Sequence, residues 1–168
     1  KLNVNNKSLE PGKVHIGVLS NESYNKNRHN QIAAALSVEN SVIHIAGHNE
    51  FSYWGENDRI VSHENLNRDE FLSLLGSMDI NLYISYSESW GQVITESISL
   101  GVPCLASNNS GIFDYNETLK ESLLVNHYDN PFEIAKRIKL VLRMELKEEY
   151  LSFLESLNIG AQKLIDEF

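Results

Sequence analysis

A single cysteine in 168 residues leaves no internal disulfide framework, and a reducing compartment is the natural setting. That residue, Cys104, follows Pro103 inside an apolar run, the setting of a buried inert thiol rather than a nucleophile. Cations are scarce. The 14 Lys and Arg stand against 23 Asp and Glu, and the formal net charge of −9 argues against nonspecific binding to nucleic acid or anionic lipid. No apolar run approaches the length of a membrane span, and no secretory signal pattern is present. The six histidines show no metal-ligand spacing, and no D-x-D occurs, so no metal cofactor is expected. His15 and His44 fall within strand-like runs, where sheet-packing or core roles are expected. The absence of G-x-G-x-x-G and of G-x4-G-K-[ST] counts against dinucleotide and P-loop chemistry. No Ser/His/Asp or Cys/His set can be assembled either.

What the chain does have is the composition and rhythm of one folded domain. Its hydrophobic content of 42% suffices for a single core. It begins at Lys1 rather than Met, with a polar KLNVNNKSLEPG stretch, so we expect a fragment or processed chain with a linker or lead-in over 1–12 and one domain over 13–168. Apolar runs at 14–19, 41–46, 59–63, 79–85, 103–107 and 122–125 read as strands. Helical patterns fall at 28–36, 68–76, 92–100, 132–144 and 147–167, the last interrupted near 158–160. Asn67 and Glu70 form a capping box for the second helix, Gly76 ends it, and Asn130-Pro131 starts the fourth. Strands alternating with helices of this length imply an α/β fold, a Rossmann-like doubly wound parallel sheet of about six strands with helices on both faces. In such sheets ligands sit beyond the carboxyl ends of the strands.

The most informative stretch is 85–106, SYSESWGQVITESISLGVPCLA, in which Glu88 and Glu96 stand eight apart with Gly91 between them. A strand runs into a short loop carrying Glu88, then a helix opens at Gly91 and carries Glu96 little more than a turn inside. Free backbone N–H groups at such a start, with no Cβ on Gly91 to obstruct approach, make a phosphate seat. Carboxylates would repel phosphate, but they suit the hydroxyls of sugars through charge-assisted hydrogen bonds. The combination describes a receptor for a nucleotide-sugar. Each residue also has a plainer reading. Glu88 could be a solvated loop acid, Glu96 an exposed member of the polar stripe Gln92–Glu96–Ser99, and Trp90 a core aromatic closing the loop.

Glu88-x7-Glu96 followed by Gly101-Val102-Pro103 resembles the signature of the family 4 (group 1) retaining glycosyltransferases, which have the GT-B fold. The resemblance covers roughly 14–141, the C-terminal donor-binding half of such an enzyme. It implies that Glu88 contacts hydroxyls of the transferred sugar at the catalytic centre and that Glu96 binds the ribose. It implies too that Trp90, Gly91, Gln92 and Val93 offer backbone N–H groups to the distal phosphate. Lys26, in N-K-N, matches a pyrophosphate-binding lysine of the loop after the first strand. The arginine position just after Gly17 holds Val18, a loss of about 1.5–3 kcal/mol for a charge-assisted contact. Either Arg28 substitutes or donor binding is weak, unless Lys26 and Arg28 are ordinary solvated loop residues. In the small-residue loop 108–114, Ser110-Gly111 stands where paired glycines are usual, and Asp114 where an acid is common.

The resemblance implies a retaining, hexosyltransferase-type enzyme, active in glycan or polysaccharide biosynthesis. It would move a sugar from a nucleoside diphosphate sugar to an acceptor hydroxyl, with the acceptor held by an N-terminal lobe this chain lacks. A cytoplasmic place follows, with any peripheral contact with the inner face of a membrane left to that lobe. The alternatives are a nucleotide-sugar epimerase lobe of the same fold and a non-catalytic Rossmann-like binding domain. Finally, the last helix carries a wide apolar stripe of Tyr150, Phe153, Leu154, Leu157, Ala161, Leu164 and Ile165. The stripe is either an orphaned interface for the other lobe, with Phe168, or packing for this domain's own core.

Overall fold

The computed structural model describes residues 9–48, 57–88, 90–114 and 116–166, the last seven of these by backbone alone. Among them six strands form one sheet: β1 (Val14–Val18), β2 (Ser41–Ala46), β3 (Ile60–His63), β4 (Ile80–Tyr83), β5 (Cys104–Ser107) and β6 (Leu124–Val125). Every neighbouring pair is parallel, in the order β3-β2-β1-β4-β5-β6. Parallel neighbours need long crossovers, which is why helices intervene. They are α1 (Arg28–Leu36), α2 (Arg68–Gly76), α3 (Gln92–Ser99), α4 (Glu117–Leu123), α5 (Pro131–Val141) and α6 (Lys147–Asp166). α1 packs against α5, α2 against α3, and α3 also meets α6. Ile16, Val18, Ile43, Ile45, Ile80 and Leu82 are buried with Ile32 and Ala35 of α1 and Ile134 and Ile138 of α5. A smaller cluster joins Leu72, Leu74 and Leu75 of α2 to Leu19, Met78 and Val102. Cys104 is fully buried, and burial raises its thiol well above the ordinary range.

Local chemistry sets the ends of the elements near the motif. The Asn67–Glu70 capping box is formed in both directions, Asn67 accepting from the Glu70 N–H and Glu70 from the Asn67 N–H. The G-V-P triplet is a helix stop. Gly101 takes a left-handed conformation (φ +85°), its N–H donates to Ile98 O, and the Val102 N–H donates to Ser97 O. This paired arrangement satisfies the last carbonyls of α3 before Pro103 leads into β5.

Two expectations need correction. The segment before β6 is the helix α4, capped by Asn116, whose side chain accepts from the Leu119 N–H. Leu119, Ser122 and Leu123 are buried at helical spacing, so the S-L-L-V run gives only its last two residues to the sheet. α6, in turn, continues through 158–160 without a break. A mid-helix glycine costs about 1 kcal/mol but removes no donor, so one glycine does not stop a helix of this length. The first half of the α6 stripe belongs to this domain: Tyr150 and Phe153 are buried, Phe153 lies 5.5 Å from Phe113 ring to ring, and Leu154 and Leu157 pack partly on the same core. The orphaned-interface reading therefore fails for Tyr150 and Phe153, while Leu154 and Leu157 keep part of their surface exposed. Ala161, Leu164, Ile165 and Phe168 lie outside the residues whose side chains are described.

On the sheet face opposite Ile16 and Val18, three histidines form a ladder across three strands. His15 Nδ1 lies 3.0 Å from His44 Nε2, and His44 Nδ1 lies 2.9 Å from His63 Nε2. His15 Nε2 is 2.8 Å from the Glu10 carbonyl, which can only accept. In the neutral ladder that contact fixes the tautomers in sequence: His15 carries its proton on Nε2, so His44 donates from Nε2, and so does His63. The sheet-packing role expected for His15 and His44 thus carries a directional hydrogen-bond chain. His44→Ala would strip one bond from His15 and another from His63 and leave a void. We expect a loss of about 2–4 kcal/mol in unfolding free energy by urea titration. A loss under ~0.5 kcal/mol would show the ladder to be incidental.

Candidate functional site

The sheet order reverses between β1 and β4, the place where a doubly wound fold leaves a crevice beyond its strand ends. β1 and β4 pair only through Ile16↔Ile80 and Gly17↔Asn81 before they part. Beyond that point the fully buried Gln31 of α1 takes the place of a strand. Its Nε2 donates to Lys26 O (2.6 Å) and Ile84 O (3.0 Å), and its Oε1 accepts from the Ile84 N–H (3.0 Å). The loop after β1 and the loop after β4 are thereby fixed to each other.

Further bonds hold the second loop on both flanks. The Tyr86 N–H donates to Asn25 O (2.7 Å) and Asn25 Nδ2 donates to Ser87 O (3.3 Å). From the β5 side, Asn109 Nδ2 donates to Ser85 O (3.2 Å) and Tyr86 O (2.8 Å), and Ser107 Oγ accepts from the Ser85 N–H (3.2 Å). Tyr24 stacks on Tyr86 at 5.6 Å, and the Tyr86 edge meets Tyr128 at 6.1 Å. This clamped segment delivers Glu88.

Glu88 and Lys26 meet at the crevice. Lys26 Nζ lies 2.6 Å from Glu88 Oε2, 2.7 Å from the Tyr83 hydroxyl and 4.7 Å from the Tyr83 ring centre, and both charged side chains are nearly buried. Burial alone would lower the Lys26 pKa, but the hydrogen bonds to Glu88 and Tyr83 outweigh it and the net shift is upward. A raised lysine pKa contributes stability that is present in full below its unfolded value and lost as pH rises through the folded one. The pair therefore persists across neutral pH and loosens in the alkaline range. Burial also raises the Tyr83 phenol, which stays a neutral hydroxyl beside the ammonium.

Glu96 stands one turn into α3, and both its oxygens are taken by the Arg68 guanidinium of α2, Nη1 at 3.3 Å from Oε2 and Nη2 on Oε1. These bonds hold the Arg68 pKa above its already high ordinary value. The pair lines a cleft of about 360 Å³ between α2 and α3, walled by Leu66, Phe71 and Val93. Between the two acids, Gly91 starts α3 in a left-handed conformation (φ +76°) and brings no side chain to cap it. The first-turn N–H groups at Gln92 and Val93 therefore present positive potential to an anion. Trp90 is 41% exposed, so it is not a core aromatic closing the loop.

The remaining candidates point elsewhere. Val18 is fully buried in β1. Arg28 is also buried, its guanidinium donating to Ala46 O (3.1 Å) and His48 O (3.5 Å) with Glu22 at 4.0 Å, so it serves the β2 edge and not the Lys26–Glu88 pair. Asp114 turns to Lys120 at 3.5 Å. Among the described residues no group of three or more His, Cys, Asp or Glu is placed to hold a metal ion. No described helix is long and apolar enough to cross a membrane. Sequence reasoning missed Gln31, Tyr83, Asn109 and Arg68. Gln31 had left a signal as a polar residue beside the inward Ile32, and Arg68 as a cation at a helix start, where the macrodipole disfavours it.

Comparison with known proteins adds the context. The family model described as "Glycosyl transferases group 1" matches residues 4–153. No curated protein matches the chain. Among solved structures, the catalytic domain of cholesterol-alpha-glucosyltransferase from Helicobacter pylori superposes with a TM-score of 0.68 at 21% identity, over 87% of this chain and 98% of that one. Sucrose-phosphate synthase from Thermosynechococcus elongatus gives 0.71 at 16% identity, over 95% of this chain and 46% of that one. Anabaena HepE, in complex with UDP and glucose, gives 0.67 at 16% identity, over 93% and 49%. The chain thus spans nearly all of the first structure and less than half the length of the other two, and these likenesses establish the fold as the Rossmann-like lobe of GT-B glycosyltransferases.

The start of α3 offers a direct test of the geometry. A Cβ on Gly91 would lie 2.7 Å from Ile94 Cδ1 and 3.2 Å from Tyr83 Cε1, on a backbone that L-residues rarely adopt. Gly91→Ala should lower stability by about 1–3 kcal/mol in chemical denaturation. A neutral result would mean that the left-handed start of α3 is not as described.

Proposed function

The chain belongs to the glycosyl transferases group 1 family, and from that premise we propose that it is the donor-binding half of a retaining hexosyltransferase. It moves a sugar from a nucleoside diphosphate sugar to an acceptor hydroxyl, in glycan or polysaccharide biosynthesis on the cytoplasmic side, and an N-terminal lobe supplies the acceptor site. The observation that carries this reading is the uncapped start of α3, with the nearly buried Lys26–Glu88 pair at the crevice beside it and the second carboxylate, Glu96, one turn into the same helix in the cleft against α2. The α3 start at Trp90, Gly91, Gln92 and Val93 holds the distal phosphate and Lys26 the diphosphate. Glu88 orients the transferred sugar and Glu96 the ribose. Positive potential from the helix end and Lys26 stabilises the leaving diphosphate, so no metal is required. The HepE complex, with UDP and glucose in the same fold, agrees in ligand class.

A phosphate seat built from backbone N–H groups should work without Mg²⁺. In EDTA, saturating UDP, GDP, ADP or TDP at about 100 times its dissociation constant should add roughly 2.7 kcal/mol of stability, read as a rise in melting temperature. No shift with any of the four at millimolar concentration would sink the reading.

The two acids should separate by ligand. Glu96→Gln weakens binding of the free nucleoside diphosphate by about 1.5–3 kcal/mol, because the ribose is part of the nucleotide. Glu88→Gln leaves that affinity nearly unchanged but damages sugar transfer by the intact protein. Equal effects of both substitutions on nucleotide affinity would show this division of roles to be wrong.

A further inference from the structure

Arg68 is absorbed by neither the fold nor the roles above. It occupies the first position of α2, where the macrodipole disfavours a cation, while Asp69 and Glu70 already serve the helix start. Its guanidinium lies over the Phe71 ring, 5.9 Å to the ring centre, and engages both oxygens of Glu96, whose side chain is only 15% exposed. A planar guanidinium donates two parallel N–H bonds to one edge of a carboxylate. A ribose diol, donating two O–H bonds, needs both oxygens of the same acid. The two donors compete.

Resting on the reading of Glu96 as the ribose ligand, we propose that Arg68 is a positioning residue that latches this acid. It holds the Glu96 carboxylate oriented and charge-compensated in the cleft, and gives way when ribose hydroxyls take its place. Arg68 therefore sets how sharply the site distinguishes a ribonucleotide from one lacking those hydroxyls. Because the Arg68 side chain is 61% exposed, the contact is screened and its effect graded. An exposed pair of this kind corresponds to a factor of about three to five in affinity.

The test compares a nucleoside diphosphate with its 2′,3′-dideoxy counterpart by calorimetric titration of the intact protein, using whichever of the ribonucleotides UDP, GDP and ADP binds tightest. Both ligands carry the same phosphates, so their affinity ratio cancels the long-range loss of one positive charge. Arg68→Ala should raise the preference for the ribonucleotide about three- to fivefold over the unsubstituted protein. That excess should shrink toward unity in 1 M NaCl, where the screening length is about 3 Å. Arg68→Lys, which keeps the charge but loses the fork, should fall between the two. If the unsubstituted protein binds both ligands equally, or Glu96→Gln leaves the preference intact, the ribose reading itself fails and the latch with it. If Glu96→Gln abolishes the preference but Arg68→Ala leaves it unchanged or lowers it, the ribose reading stands and the latch is overturned.

Discussion

The site depends on how the sheet handles its own reversal. Where β1 and β4 part, a parallel pair loses its ladder, and the N–H and C=O of Ile84 would be buried without partners. An unmet buried backbone pair costs about 1–3 kcal/mol per group, and water has no access there. Gln31 meets both with one side-chain amide and uses its remaining donor on Lys26 O. A solution to a backbone problem thus becomes a strut: it fixes the distance between the two loops that carry Lys26 and Glu88. Without it the crevice would still exist, but its two charged groups would ride on independent loops.

The second constraint is electrostatic. The chain carries net charge −9, and two carboxylates flank the uncapped start of α3. Taken alone they would repel a diphosphate. The structure supplies each acid with its own cation, Lys26 for Glu88 and Arg68 for Glu96, so neither stands uncompensated while the α3 start adds positive potential. The two pairs differ in kind. Lys26–Glu88 is nearly buried and anchored by Tyr83, where breaking one partner leaves an uncompensated charge. Arg68–Glu96 has one member in solvent, and its strength falls with salt.

Much of this was legible in the sequence, for identifiable reasons. Five of six strands and most helices announce themselves because parallel strands are continuous apolar runs and amphipathic helices have a 3.6 period. The Asn67–Glu70 box and the Gly101 stop are local chemistry, readable without tertiary knowledge. The stretch 117–125 was not legible, because S-L-L-V suits a strand until the Asn116 cap and the inward spacing of Leu119 and Leu123 are seen together. At the site, the positions of Glu88, Gly91 and Glu96 followed from spacing on a strand-loop-helix. Arg68 lies 28 positions before Glu96, and Gln31 lies 53 before Ile84. No periodicity connects such pairs; only the sheet order does.

The departure at Val18 gains its meaning from the same geometry. Val18 is fully buried in β1, so this position gives an apolar side chain to the core and no cation to the crevice. Arg28 is turned toward the β2 edge, where its Nη2 donates to the Ala46 and His48 carbonyls, and not toward Lys26. On the proposed reading, the side-chain cation placed for the diphosphate among the described residues is Lys26, and it is already bonded to Glu88. An ammonium carries three donors, and Glu88 and Tyr83 take two of those of Lys26, so the third can reach a phosphate oxygen while the pair stays intact.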